Sequence, residues 1–133
     1  MISIPSDFHD LLTDEKKAYL YLATLMQDGS PQVTPVWFNT ENNLILINTL
    51  QGRVKDRNMR ARPQVALCIT DPANHYRYLQ IRGRVVAFTT EGAAAHIDTL
   101  AGKYTGTPKY TFGKPGEQRV TFKVLPEKVD AHG

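Results

Sequence analysis

The stretch that most constrains the fold is residues 76–88. Leu79, Ile81, Gly83, Val85 and Ala87 fall on one face, and Tyr78, Gln80, Arg82 and Arg84 fall on the other. That period of two is the signature of a strand with one buried side. A strand this long in a chain of 133 residues has to bend if the domain is to stay compact. Gly83, which has no side chain to pack, is the place predicted for the bend.

Shorter segments surround it. Ser6 is placed to cap a short helix through Leu12, with Phe8, Leu11 and Leu12 on one face. Residues 19–26 read as a strand closed by Asp28-Gly29, a strong hairpin signal, and 31–39 is the return strand. Asn42-Asn43 then turns the chain into 44–49, so the first three strands are predicted to form a meander. Gly52 opens a helix that runs through Ala61 and stops before Pro63. Residues 65–70 form a fourth strand, and Asp71-Pro72-Ala73-Asn74 is a turn cluster. Thr89 or Thr90 is a candidate cap for a second helix over 91–103. Residues 105–116 are rich in Gly, Pro and Thr and read as a loop, with Tyr104, Tyr110 and Phe112 in or beside it. Residues 118–125 form a last strand with Val120, Phe122 and Val124 inward, interrupted at Pro126 and resumed at Lys128-Val129. Six short strands with few helices predict a single mainly β domain over 1–133, a closed or nearly closed antiparallel barrel.

Composition narrows the function classes. The net charge of +3 suits an anionic ligand but is a weak signal for nucleic acid. An oligonucleotide-binding barrel would need aromatics and cations alternating on one exposed face, and Tyr76, Tyr78, Arg82 and Arg84 offer only part of that. The one cysteine, Cys68, lies in an apolar run and is expected to be a buried core thiol. His9, His75, His96 and His132 have no metal-ligand spacing, so no metal site is expected. The first residues, Met1 to Pro5, lack a basic region followed by an apolar stretch, and no run approaches the roughly 20 apolar residues of a membrane span. A soluble, cytoplasmic protein is expected.

The most informative segment is Gly52-Arg53-Val54-Lys55-Asp56-Arg57-Asn58. A helix start carries partial positive charge and favours acidic side chains. This one offers Arg53 and Lys55, which repel unless an anion sits there. Backbone N–H groups, the dipole and two cations would then converge on that anion. The preceding strand ends in Asn48 and Thr49, whose side chains can bond a ligand lying over the sheet. In Pro31-Gln32-Val33-Thr34-Pro35-Val36-Trp37, Pro35 cannot donate to a ladder and belongs at an edge or bulge. Gln32, Thr34 and Val36 point to one side there, with Trp37 on the other as a core or dimer contact.

These segments, together with Pro63-Gln64-Val65-Ala66-Leu67 and Tyr78-Leu79-Gln80-Ile81-Arg82-Gly83, resemble the pyridoxamine-phosphate-oxidase-like split barrels, which share the FMN-binding barrel of flavin reductases. Within them the chain is most similar to the deazaflavin-dependent oxidoreductases, users of coenzyme F420. The resemblance implies a six-stranded split barrel and a homodimer with two sites at the subunit interface. It implies that Arg53 and Lys55 hold the cofactor phosphate, with Asn58 in support. The ring would lie near Gln32, Thr34, Pro35, Val36, Asn48 and Thr49, and Arg77 and Tyr78 would approach from the partner subunit. The chain lacks the C-terminal region of the pyridoxamine oxidases, so pyridoxal phosphate production is not expected.

The expected activity is hydride transfer from reduced F420 to an electron-poor double bond or a similar acceptor. The chemistry belongs to the cofactor, and the protein positions it and excludes water. An FMN-dependent oxidoreductase and a non-catalytic carrier of the same fold are the alternatives. The acidic oligoglutamate tail of F420 calls for further cations, with Arg57, Arg60, Arg62, Lys103, Lys109 and Lys114 as candidates. No side chain stands out as a nucleophile. Tyr78, Tyr104, Tyr110 and solvent are all candidate proton donors.

Overall fold

A computed structural model describes residues 4–133. The reading of the extreme N-terminus rests in part on residues 1–3, which lie outside the described residues. One antiparallel sheet carries the fold. Its strands are β1 (Tyr19–Leu25), β2 (Pro31–Val36), β3 (Phe38–Glu41), β4 (Leu44–Leu50), β5 (Gln64–Asp71), β6 (Asn74–Thr89) and β7 (Arg119–His132). Their spatial order is β2-β1-β5-β6-β7-β4-β3. The two edge strands, β2 and β3, are separated in the chain by Trp37 alone. The sheet must therefore curl until its edges nearly touch, which makes it a split barrel.

The count is seven strands, not the six expected, because 31–39 is two strands. The first half pairs with β1, with Pro35 opposite Tyr21. The second half pairs with β4, with Phe38 opposite Ile47. The predicted meander thus exists as two hairpins that share one interrupted strand. Asn42 and Asn43, with φ of 52° and 66°, make the left-handed turn that joins β3 to β4.

Alternation fills the barrel interior: Leu20, Leu22, Leu67, Ile69, Leu79, Ile81 and Phe122 are all buried. On β6 the predicted inward face holds from Leu79 to Val85. A register shift between Val85 and Ala87 then turns the strand, so Ala87 is exposed and Phe88 packs on Phe122 with ring centroids 5.5 Å apart. The bend at Gly83 is present. Gly83 lies opposite Pro126 at a second register shift, and a Cβ there would collide with the Leu125 carbonyl. The shift lets β7 run through Pro126 without a break. Cys68 is half-buried rather than a core residue; it faces outward, opposite Tyr21 and Gln80. Burial pushes its thiol pKa up, away from the range of an activated thiolate.

Helix α1 (Val54–Ala61) follows β4 as predicted, with Arg53 at its N-cap. Helix α2 (Ala93–Thr105) starts two residues later than the 91–103 reading, because Thr89 spends its hydroxyl on the Glu91 N–H and Gly92 takes the cap position. Ser6–Leu12 is a 3-10 helix that buries Phe8 and Leu11 and has no side-chain cap. No helix among the described residues is long and apolar enough to cross a membrane.

Candidate functional site

The end of β4, the start of α1 and the β2–β3 corner meet at a cleft of about 370 Å³. Its floor is Asn48 and Thr49, and Arg53 and Lys55 stand on one side. Pro35, Val36 and Trp37 form the corner, while Ile97, Tyr110, Phe112, Arg119 and Tyr19 complete the walls. A second hollow of about 390 Å³ on the outer sheet face, near Ala23, Ala66 and Lys128, contains none of the predicted site residues.

Helix α1 is pinned so that its first turn faces the cleft. Asp56, buried, accepts the Gly52 N–H at 2.8 Å through one carboxylate oxygen and Arg60 Nε at 2.7 Å through the other. The first helical hydrogen bond is Arg57 N–H to the Arg53 carbonyl at 3.0 Å, so the N–H groups of Val54, Lys55 and Asp56 stand outside the ladder. Lys55 is half-buried and donates from Nζ to Thr34 Oγ1 at 3.1 Å. Among the described residues no carboxylate forms an ion pair with Arg53, Lys55 or Arg119. Burial, and then the charge of Arg53, pull the Lys55 ammonium pKa below the ordinary lysine value. That is the signature of positive charge held without a partner.

The opposite wall is aromatic. Trp37 stacks on Tyr104 with centroids 5.2 Å apart and meets Tyr110 edge-on at 6.1 Å; Tyr110 in turn meets Phe112 at 5.6 Å. The Arg119 guanidinium lies 4.7 Å over the Tyr110 ring. Tyr104 points its hydroxyl away from the cleft, into the Ala18 carbonyl at 2.7 Å. Burial raises its pKa further, so it is a poor proton donor.

Pro35, Val36, Asn48, Thr49, Arg53 and Lys55 therefore meet in one cleft. Thr34 stands one hydrogen bond behind them through Lys55. Gln32 accepts from Thr24 Oγ1 at 3.1 Å. Asn58 is not at the cleft; it donates to Thr24 Oγ1 at 3.0 Å and to Met26 Sδ at 3.3 Å, which ties α1 to β1. Arg77 and Tyr78 lie away from the cleft of their own chain. Arg77 is gripped by Asp10 at 2.6 Å and Asp71 at 3.0 Å, and Tyr78 stacks on His132 at 5.0 Å. Three of the candidate tail cations are used inside the fold. Arg60 pairs with Asp56, Arg62 Nε donates to the Leu25 carbonyl at 2.8 Å, and Lys103 Nζ donates to the Phe38 carbonyl at 2.8 Å. Sequence reasoning missed Arg119, Tyr19 and Ile97 as parts of the site. The position of Arg119 depends on the β4–β7 pairing and that of Ile97 on how α2 docks, and neither leaves a local signal.

Residues 9–133 match the family model described as pyridoxamine 5'-phosphate oxidase. Among solved structures, one described as "F420 Reductase" is 32% identical, with a TM-score of 0.82 over 96% of this chain and 98% of that one. A conserved hypothetical protein from Mycobacterium tuberculosis is 20% identical, with a TM-score of 0.73 over 99% of this chain and 86% of that one. HupZ from Group A Streptococcus is 17% identical, with a TM-score of 0.68 over 97% and 94% of the two chains; these last two likenesses bear on the fold alone. No curated protein matches the chain. With nearly the whole chain matched by the family model and a curled antiparallel sheet of the split-barrel kind, the chain belongs to the pyridoxamine 5'-phosphate oxidase family.

Proposed function

We propose that the chain is an F420-dependent oxidoreductase that transfers hydride to an electron-poor double bond or similar acceptor. Family membership and the likeness to an F420 reductase support an oxidoreductase with a flavin-type cofactor. The observation that carries the reading is Lys55, half-buried beside Arg53 without a carboxylate, at a helix start whose N–H groups are outside the ladder. This donor set fits a phosphate.

Arg53 and Lys55 would hold the phosphate, and Pro35, Val36, Asn48 and Thr49 would line the ring, with Thr34 bracing Lys55 from behind. When bound and reduced, the deazaflavin supplies a hydride. The chain's own residues bind, orient and exclude water. Trp37, Tyr110 and Phe112 give the acceptor a flat apolar wall, and Arg119 adds a cation at its edge. Arg57, Lys109 and Lys114 are exposed and remain available to an acidic tail. In a homodimer, Tyr78 of the partner is a freer contact than Arg77, whose guanidinium is held by Asp10 and Asp71.

Equilibrium titration with F420 and with FMN, followed by mixing the reduced F420 complex with an activated enone, tests the reading. Tighter binding of F420 and its reoxidation by the enone are expected. Much tighter binding of FMN would overturn the choice of cofactor, and binding without reoxidation by any acceptor would favour a carrier.

A further inference from the structure

His96, on the first turn of α2, spans three strands. Its Nε2 lies 2.8 Å from Asn39 Oδ1 on β3. Its Nδ1 lies 3.1 Å from Asn48 Nδ2 on β4 and 3.2 Å from Thr121 Oγ1 on β7. Asn48 Nδ2 also donates to the Ala93 carbonyl at 2.9 Å. The same nitrogen lies 3.5 Å from Thr121 Oγ1, the longest of its three contacts, so its two hydrogens go to the two nearer partners. The Ala93 carbonyl can only accept, so the amide nitrogen of Asn48 must face it. The second hydrogen of that nitrogen points at His96 Nδ1, which must then be bare. A neutral ring with a bare Nδ1 carries its proton on Nε2, the nitrogen that faces the Asn39 oxygen.

Both amide hydrogens of Asn48 are thus used inside the fold. Its carbonyl oxygen is left on the cleft side, with Arg119 Nη1 at 3.5 Å as a weak neighbour. The Asn48 oxygen as acceptor and the Arg119 guanidinium as donor then stand side by side at the cleft. That pair matches the edge of a heterocycle with adjacent N–H and C=O groups, which the imide of a flavin or deazaflavin ring provides. Protonating His96 would place an N–H against the Asn48 amide hydrogens and force the amide to turn its oxygen toward the Ala93 carbonyl. Burial holds the imidazole pKa down at about 4, against an upward pull from Glu41 on β3. The cation on the β7 side, Arg119, reaches His96 only through Asn48.

We infer that His96 is a positioning residue: a neutral ring protonated on Nε2, it fixes Asn48 with its carbonyl oxygen in the cleft, where that oxygen accepts a hydrogen bond from the imide N–H of the cofactor ring. This rests on reading the cleft as a cofactor site, and the test keeps the two apart. Side-chain 15N NMR of the whole protein without ligand reads the tautomer directly. The Nε2–H form is expected throughout about pH 5.5 to 8, well above the depressed range of a buried imidazole. An Nδ1–H tautomer, or a ring titrating near the ordinary value of about 6.5, would overturn the inference.

Binding of F420 tests the rest. His96→Phe is expected to weaken it about tenfold, the scale of one neutral hydrogen bond, and His96→Asn, which returns an acceptor toward Asn48, to restore most of that loss. In an Asn48→Ala background His96→Phe should cost nothing further. Equal affinity of His96→Phe and wild type, or an undiminished effect without Asn48, would overturn the inference even if the clamp variants behave as expected. Failure of wild type to bind either F420 or FMN would overturn the cofactor reading and the imide contact with it. Should His96→Phe not fold, the Asn48→Ala affinity and the tautomer still decide.

Discussion

At the scale of single residues, the molecule separates charges that serve the fold from charges that do not. Asp56, Asp10 and Asp71 each hold a cation in place, and Arg77 beside Asp10 draws that carboxyl pKa down to about 2. Lys103 is a different case. Its Nζ is buried on the Phe38 carbonyl, 4.0 Å from the Phe38 ring centroid, with Asp14 no closer than 3.9 Å. Burial pushes its pKa down from 10.5 to about 8, against an upward pull from Asp14. Below about pH 8 both folded and unfolded chains keep this proton and the penalty is fully present. Above it the unfolded chain binds more protons than the folded one, so this group makes stability rise with pH. Tyr104, whose pKa is raised in the fold, acts with the opposite sign once pH passes the ordinary tyrosine value of about 10. Urea denaturation between about pH 7.5 and 9.5 should therefore show a rise that Lys103→Met abolishes. A wild-type profile no steeper than the variant's would contradict the buried-ammonium account.

At the scale of elements, the barrel is shaped by two corners, and one of them was legible. Gly83 could be read as a bend because a long alternating run needs one and glycine permits it. Its partner could not be read. Pro126 looks like a strand end in isolation, yet it sits at the bulge opposite Gly83, where a ladder donor is not required. Adding a methyl at Gly83 drives it into the Leu125 carbonyl. Gly83→Ala should thus destabilise by about 2 kcal/mol, within the range for overpacking, measured as a lowered urea midpoint; an unchanged midpoint would show that the β6–β7 bulge relaxes freely. The other corner, at Trp37, was hidden because alternation runs on from Val36 to Phe38, both buried. Only the change of partner from β1 to β4 reveals the break, and pairing partners are not a local property. The α1 start, by contrast, was legible as an electrostatic anomaly, and the structure brings its two cations to the same cleft as Asn48 and Thr49.

At the scale of the whole molecule, the sheet order makes one face an interior and leaves the other outward. On the outward face of β1, β2 and β5, Tyr21 lies beside Pro35 and Cys68, and Ala23 beside Val33 and Ala66. Val33 is 65% exposed, an apolar side chain at an edge strand. We expect this face to form the homodimer that the family resemblance implies. Sedimentation should show a dimer that Val33→Glu converts to monomer; a monomeric wild type would contradict it. The parts of the site that no segment announced, Ile97 and Arg119, belong to this scale too. They come from α2 and β7, far along the chain from the α1 start, and reach the cleft only once the sheet has closed.

In the proposed function, the unpaired charge of Arg53 and Lys55 binds the phosphate of the cofactor. The most direct measurement is the affinity for F420 of wild type and of the Arg53→Ala/Lys55→Ala variant, at fixed ionic strength, with thermal unfolding as a control for folding. Two charge-assisted contacts to phosphate predict a loss of about a hundredfold or more, with the folded structure retained. Affinity unchanged in a folded double variant would contradict the account.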